Sequence, residues 1–257
     1  MTFGDSVRLF FGLLYLKFQP FFLLYWAVWL ATLLVLAVVL LRLKPLIRDK
    51  ALILDGRVRP ALHRTRFQSD EEAGEGMRCE RALRTWFFRF WTNFASAPSL
   101  SFWSLAVPCA IYLWQLKQGP HLMAMESVAA AWLLPGLCFG GSMLLSFVLK
   151  RVVRRPRPPL KKGDFGYKLA KDPSFPSGHS LTSFCFWAMV PVSAALTNSD
   201  PPTVALLAVC GALVVALTGL SRLYLRVHYL SDVLGGYFIG AIWTLVCLWL
   251  LPGRLVH

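Results

Sequence analysis

Six runs of apolar residues dominate the pattern along the chain. They cover Phe18–Leu41, Ser99–Leu116, Ser127–Leu149, Ser180–Ser199, Pro201–Ser221 and Val233–Gly253. A helix needs about 20 apolar residues to cross the hydrocarbon core of a bilayer. Each run is expected to form one such helix, the second and fourth with least margin. The fourth and fifth share the turn Asn198-Ser199-Asp200-Pro201-Pro202, which predicts a tight helical hairpin. The first run is too long for a signal-peptide core and lacks a small-residue cleavage site, so it reads as a retained helix.

A polar stretch of mixed charge separates the first two runs. Its middle, Ser69 to Gly76, reads as a linker. A different pattern follows. Leu83, Trp86, Phe87, Phe90, Trp91 and Phe94 recur at helical spacing, with Arg81, Arg84 and Arg89 off that face. This predicts an aromatic, basic amphipathic helix at the membrane interface, before the second span. Residues 1–78 form an N-terminal segment carrying the first span and the linker. Residues 79–257 form the main membrane domain. Gly136 with Gly140, and Gly236 with Gly240, have the spacing that lets membrane helices approach closely. Glycine is also simply common in such helices.

Composition agrees with this all-α, polytopic reading. Of 257 residues, 56% are hydrophobic and 16% charged, with a mean hydropathy of +0.55. That excludes a disordered chain and an ordinary soluble enzyme, in which about 25% of residues are charged. The net charge of +14 would suggest nucleic acid in a soluble protein. Here loop anchoring and phosphate binding explain it better, and no nucleic-acid partner is expected. Six cysteines show no C-x-x-C pair or disulfide pattern, and five lie in apolar stretches.

Charge near apolar spans is costly and usually functional. Three clusters stand at span ends. Lys150 to Pro158 follows the third span, and Pro176-Ser177-Gly178-His179 opens the fourth. Ser221-Arg222, His228 and Asp232 bridge the fifth and sixth. With six spans, the 3–4 and 5–6 connections lie on one membrane face, so all three clusters can converge. Lys150, Arg157 and Arg222 would supply fixed positive charge suited to phosphate oxygens. Ser177 and Gly178 sit at a helix N-terminus, where free N–H groups favour an anion. His228 and Asp232 are four apart, on one face if helical. The carboxylate could hold one ring nitrogen and leave the other free to attack.

These clusters resemble the signature of the type 2 phosphatidic acid phosphatase and vanadium haloperoxidase superfamily, K-x6-R-P, P-S-G-H and S-R-x5-H-x3-D. Lys150 with Arg157-Pro158, then Pro176 to His179, then Ser221-Arg222, His228 and Asp232 match it in order. Arg155-Pro156 offers a second register for the first block. The six spans are similar to the family's membrane branch. The resemblance implies a lipid phosphate phosphatase with His228 as nucleophile, Asp232 orienting it and His179 as general acid. Lys150, Arg157, Ser177, Gly178 and Arg222 would bind the phosphate. It implies a lipid phosphate substrate, a bilayer setting, and neither metal nor other cofactor. Phosphatidic acid, phosphatidylglycerophosphate and undecaprenyl diphosphate all offer the same terminal phosphate.

Two other readings follow from the same residues. One is vanadate-dependent halide oxidation, which resembles soluble members rather than six-span ones. The other is a lipid-binding protein without turnover. Arg151, Arg154, Arg155, Lys161, Lys162, Lys168, Lys171 and Arg226 read as anchors to lipid headgroups. His63, His121 and His257 read as ordinary solvated residues. Tyr224 and Tyr229 could touch substrate, but aromatic residues at an interface need no such explanation. Orientation draws opposite expectations. The candidate face carries 23 of the Lys and Arg residues and the other face 4, which favours a cytoplasmic site. The resemblance implies an exoplasmic site, and that side is the one expected. Oligomeric state is left open.

Overall fold

In a computed structural model the described residues are 75–118, 122–158, 172–197 and 199–250, together with Val38, Arg42 and Asp55. Among them are six helices and no strand: α1 (Glu75–Phe94), α2 (Ala97–Gln118), α3 (Leu122–Val153), α4 (Gly178–Leu196), α5 (Pro201–Tyr224) and α6 (Leu230–Trp249). The first apolar run apart from Val38, the Ser69–Gly74 part of the linker, Lys161, Lys162, Lys168 and Lys171, and His63, His121 and His257 lie outside the described residues. The all-α, polytopic reading holds. Four described helices, α3 to α6, are long and apolar enough to cross a membrane.

The helices overrun the apolar runs at the candidate end of the bundle. α3 continues through Lys150, α5 through Arg222, and α6 begins at Leu230 and so includes Asp232. Backbone hydrogen bonding does not stop where hydropathy does. The extra turns carry the polar residues.

α4 is the central element, packed against α3, α5 and α6. Leu145, Leu149, Leu181, Cys185, Met189, Ile239 and Trp243 form its surrounding core. Buried polar groups in an apolar medium need partners, and three of those between helices find one on a neighbouring backbone. Trp243 Nε1 donates to the Cys138 carbonyl at 3.0 Å, Ser193 Oγ to that of Ala131 at 2.8 Å, and Tyr237 Oη to that of Val215 at 2.7 Å. Leu206, Val209, Leu213, Phe238, Leu245 and Trp249 point outward. An apolar outer surface of this kind suits lipid.

α1 uses two faces. Leu83, Trp86, Phe87 and Phe90 are exposed. Thr92 and Phe88 instead meet α5: Thr92 Oγ1 lies 2.5 Å from Ser221 Oγ, and Phe88 stacks on Tyr224 at 4.1 Å. The aromatic stripe therefore looks away from the bundle, and a second row docks the helix. At its C-terminal end the stripe turns inward, where Phe94 stacks on Trp187 of α4 at 5.8 Å.

Two helix ends aim the chain at the candidate site. Just beyond α3 and α5, Arg154 and Arg226 adopt φ of 51° and 59°. The left-handed region costs a non-glycine residue about 1–2 kcal/mol. The reversal turns Arg155–Arg157 and Val227–His228 back over the bundle end. Arg226 is buried, so its reading as a headgroup anchor is corrected: the turn that places His228 folds it inward.

Gly236 and Gly140 share a sequence pattern but not an environment. A Cβ on Gly236 would stand 3.0 Å from the Ser177 carbonyl oxygen and 3.2 Å from Leu181 N, whereas one on Gly140 would meet nothing within 4 Å. Gly236 lets α6 touch the start of α4. Gly236→Ala is expected to destabilise the protein by about 1–3 kcal/mol, and Gly140→Ala to leave it unchanged. Thermal unfolding of both variants in detergent checks this; equal midpoints would refute the close-approach role.

Candidate active site

Lys150, Arg157, Ser177, Gly178, His179, Arg222, His228 and Asp232 all lie at one end of the bundle. Two loop segments run side by side there. Ser174 N donates to the Arg155 carbonyl at 2.8 Å, and Arg157 Nε to the Asp172 carbonyl at 3.0 Å. The start of α4 is tied to α6 by Ser177 N, which donates to the Asp232 carbonyl at 3.0 Å. That N–H is thus occupied. Ser177 can offer an anion only its hydroxyl, which accepts from Ser180 Oγ at 2.9 Å.

Asp232 is the best-connected group. Its Oδ1 accepts from Arg155 Nη1 at 2.6 Å, and its Oδ2 from Tyr229 N at 2.9 Å and from Ser174 Oγ. His228 Nδ1 lies 3.5 Å from the same Oδ2 and 3.4 Å from Ser174 Oγ. His228 itself is not helical. It precedes Tyr229, the residue that caps α6. The four-residue spacing works because Asp232 bonds back to that cap.

The other ring nitrogen faces the cations. Arg157 Nη1 lies 3.5 Å from His228 Nε2 and donates to the Val227 carbonyl at 3.1 Å. His228 is buried, and its pKa falls from 6.5 to about 4. Burial is the main cause. The Asp232 hydrogen bond opposes it, and the charges of Arg222 and Arg157 reinforce it. The ring is therefore neutral at physiological pH, with a lone pair for reaction.

Lys150 and Arg157 share one counter-ion that the sequence reading missed. Asp172 pairs with Lys150 Nζ through Oδ2 and with Arg157 Nη2 at 2.7 Å through Oδ1. Partial burial would raise the Asp172 pKa, but these two cations outweigh it and bring it down to about 2. Arg222 is buried, and its Nη1 lies 3.4 Å from Thr92 Oγ1. His179 stands within electrostatic reach of Arg222, His228, Lys150 and Arg157. A Cβ on Gly178 would lie 3.3 Å from Ser146 Oγ and 3.9 Å from Lys150 Nζ, so glycine keeps that approach open.

Arg155 departs from its reading as a headgroup anchor. Its side chain is wholly buried, with Nη2 2.7 Å from Asp55 Oδ2 and Nη1 2.6 Å from Asp232 Oδ1. Its guanidinium also lies over the Tyr229 ring, 4.4 Å from the centroid. The two Arg-Pro registers thus part: Arg157 faces His228 and Asp172, and Arg155 sits behind Asp232. Asp55, Thr92, Asp172, Ser174 and Ser231 are neighbours that motif spacing did not reveal. Ser174 lies two residues before the Pro-Ser-Gly-His run and Ser231 one before Asp232, so nearness to a motif was the only signal. Among the described residues no three His, Cys, Asp or Glu side chains group to hold a metal ion.

Known proteins resemble this chain in sequence and in fold. Residues 129–255 match the model of the PAP2 superfamily. The matched stretch is just under half of the chain. A curated relative, phosphatidylglycerophosphatase B of Bacillus subtilis, is 36% identical over 109 residues, 40% of this chain and 50% of that protein. The alignment thus spans about half the relative's length. A crystal structure described as the first transmembrane PAP2 type phosphatidylglycerolphosphate phosphatase from Bacillus subtilis matches with a TM-score of 0.59 at 22% identity. It covers 84% of this chain and 92% of that one. The shared fold is that of a multi-pass membrane protein.

The Asp172 carboxylate occupies the cations that an incoming anion would need. It stays ionised down to about pH 2, so the competition persists over the working pH range. Asp172→Asn is expected to tighten binding of inorganic phosphate about five-fold, as befits a half-exposed ion pair worth about 1 kcal/mol. Calorimetric titration reads it, and weaker binding in the variant would show Asp172 to assist the anion instead.

Proposed function

We propose that the protein is a membrane lipid phosphate phosphatase acting through a phosphohistidine on His228. One observation carries the reading. His228 presents Nδ1 to Asp232 and Nε2 to Arg157, which is the polarity a ring nucleophile needs. The membrane fold supports a lipid substrate, because the site lies at the helix ends, where a headgroup arrives while its tail stays in the bilayer.

The steps follow from the residues. Lys150, Arg157 and Arg222 take the phosphoryl oxygens, with the Ser177 hydroxyl and the N–H groups at the start of α4. His228 Nε2 attacks phosphorus, and the bond to the lipid oxygen breaks. His179 protonates that oxygen, and the lipid alcohol leaves. Asp232 holds the Nδ1 proton and supports the positive ring. A water then attacks the phosphohistidine, giving its proton to His179, and phosphate departs with His228 restored. Fixed cations and a helix N-terminus stabilise the charge that develops, so no metal is required. Phosphatidylglycerophosphate is the first substrate to test, because the curated relative is named for it.

Purified protein in detergent with EDTA is expected to release phosphate from phosphatidylglycerophosphate. Phosphatidic acid and undecaprenyl diphosphate complete the panel. Activity abolished by EDTA and restored by magnesium would overturn the metal-free chemistry. His228→Ala should form no phosphoenzyme. His179→Ala should lose less on p-nitrophenyl phosphate, a good leaving group, than on the lipid. Equal losses on both would remove His179 as general acid.

The pH profile has a definite sign. His228 must be neutral to attack, so activity rises as pH climbs through its pKa of about 4. Asp232 from α6, Arg222 from α5, Arg157 from the 3–4 connection and His179 from α4 all face it. The acid limb of kcat/KM, which reports the free enzyme, is expected near pH 4. A limb near the ordinary histidine value would contradict the burial argument.

A further inference from the structure

Asp55 stands far from every motif in the sequence, yet it is buried against the back of the site. Its Oδ2 lies 2.7 Å from Arg155 Nη2 and accepts from Ser231 Oγ at 2.6 Å, while its Oδ1 accepts from Ser231 N at 3.1 Å. Ser231 Oγ in turn accepts from Arg155 Nη1 at 2.6 Å. A continuous polar path therefore runs from Asp55 through Arg155 to Asp232 and on to His228 Nδ1. Asp55 lies outside residues 129–255, the part of the chain that matches the family model.

Charge counting shows what Asp55 does. Arg155 alone with Asp232 would be a neutral pair, and the guanidinium would hold the carboxylate's field on its own side. A second carboxylate on Arg155 leaves the group of three with one net negative charge. That charge remains available where Asp232 meets His228. Asp55 also accepts from Ser231 N in the first turn of α6, which fixes the helix start that carries Asp232.

We infer that Asp55 is a positioning residue for His228, acting through Arg155 and Asp232 to keep negative charge behind the ring as it becomes cationic on phosphorylation. Its effect falls on the reacting state and not on the binding of substrate. The inference rests on the phosphohistidine reading, and its test is chosen to separate the two.

The variant is Asp55→Asn in the full chain, which keeps the size and an acceptor for Ser231 but removes the charge. In detergent, with phosphatidylglycerophosphate as probe, kcat is expected to fall about 10- to 100-fold, the usual range for a group supporting a reacting residue from behind. KM should stay within about two-fold, because Asp55 touches none of the proposed phosphate ligands. Loss of negative charge disfavours the protonated ring, so the acid limb should move to lower pH. The groups facing His228 (Asp232, Arg222, Arg157 and His179) are unchanged in the variant. The ring titration of His228, followed by 15N NMR with histidine-labelled protein, should move the same way.

Asp55→Glu, which restores the charge, should recover most of the rate and an unshifted limb. It also serves if the asparagine variant does not fold. Asparagine kinetics and titration equal to the parent would overturn the inference. So would a rate loss that only tracks the fraction of vanadate-binding sites, with the ring titration unmoved, since that marks a purely structural role. A glutamate variant as impaired and as shifted as the asparagine one would overturn it as well. If the parent releases phosphate from no lipid while the ring titration still shifts, the phosphatase reading fails and the coupling of Asp55 to His228 stands.

Discussion

The buried carboxylate of Asp232 is the interaction on which the candidate site depends. It accepts from Arg155 in the 3–4 connection, from Ser174 before α4, and from Tyr229 N at the start of its own helix. Its backbone carbonyl accepts from Ser177 N. A carboxylate taken out of water needs this many donors to remain ionised. The same donors bring three separated stretches of chain to one point. Removing one partner of a buried ion pair costs about 3–5 kcal/mol. Assembly of the site and folding of this end of the bundle are therefore one process.

Packing serves the same point. α6 can approach α4 only because Gly236 has no side chain where Ser177 and Leu181 stand. The reversed turns at Arg154 and Arg226 place the flanking loops. Thr92 of α1 reaches both Ser221 and Arg222. The amphipathic helix is thus more than an interfacial float: it braces the end of α5 that carries one of the three cations.

Much of this was legible in the sequence, for reasons that can be named. Apolar runs of membrane length admit little but helices, since every backbone polar group must be satisfied within the segment. Parity of the spans put the clusters on one face, and strict spacing identified Lys150, Arg157, His179, Arg222, His228 and Asp232. The illegible part consists of counter-charges. Asp55 and Asp172 belong to no motif, because a carboxylate can reach a buried guanidinium from any loop that passes nearby. Arg155 and Arg157 share the same Arg-Pro context, and only three-dimensional packing separates the one that is enclosed by carboxylates from the one that faces the histidine. Helix ends were misjudged by a turn because hydropathy marks the membrane and not the last hydrogen bond.

Those counter-charges complete the electrostatic argument. Lys150, Arg155 and Arg157 pair with Asp55, Asp172 and Asp232. The carboxylates are not equivalent. Asp55 and Asp232 are enclosed behind His228, whereas the side chain of Asp172 is 46% exposed in front of it. The rear pair cannot exchange with a ligand and sets the field on Nδ1. The front one can yield to a phosphate, which brings more charge and more oxygens to the same cations. On the proposed reading, burial keeps His228 neutral before substrate arrives, and the rear carboxylates supply what the ring needs once it carries positive charge. A single carboxylate could not meet both demands, because Arg155, which anchors it, also cancels it.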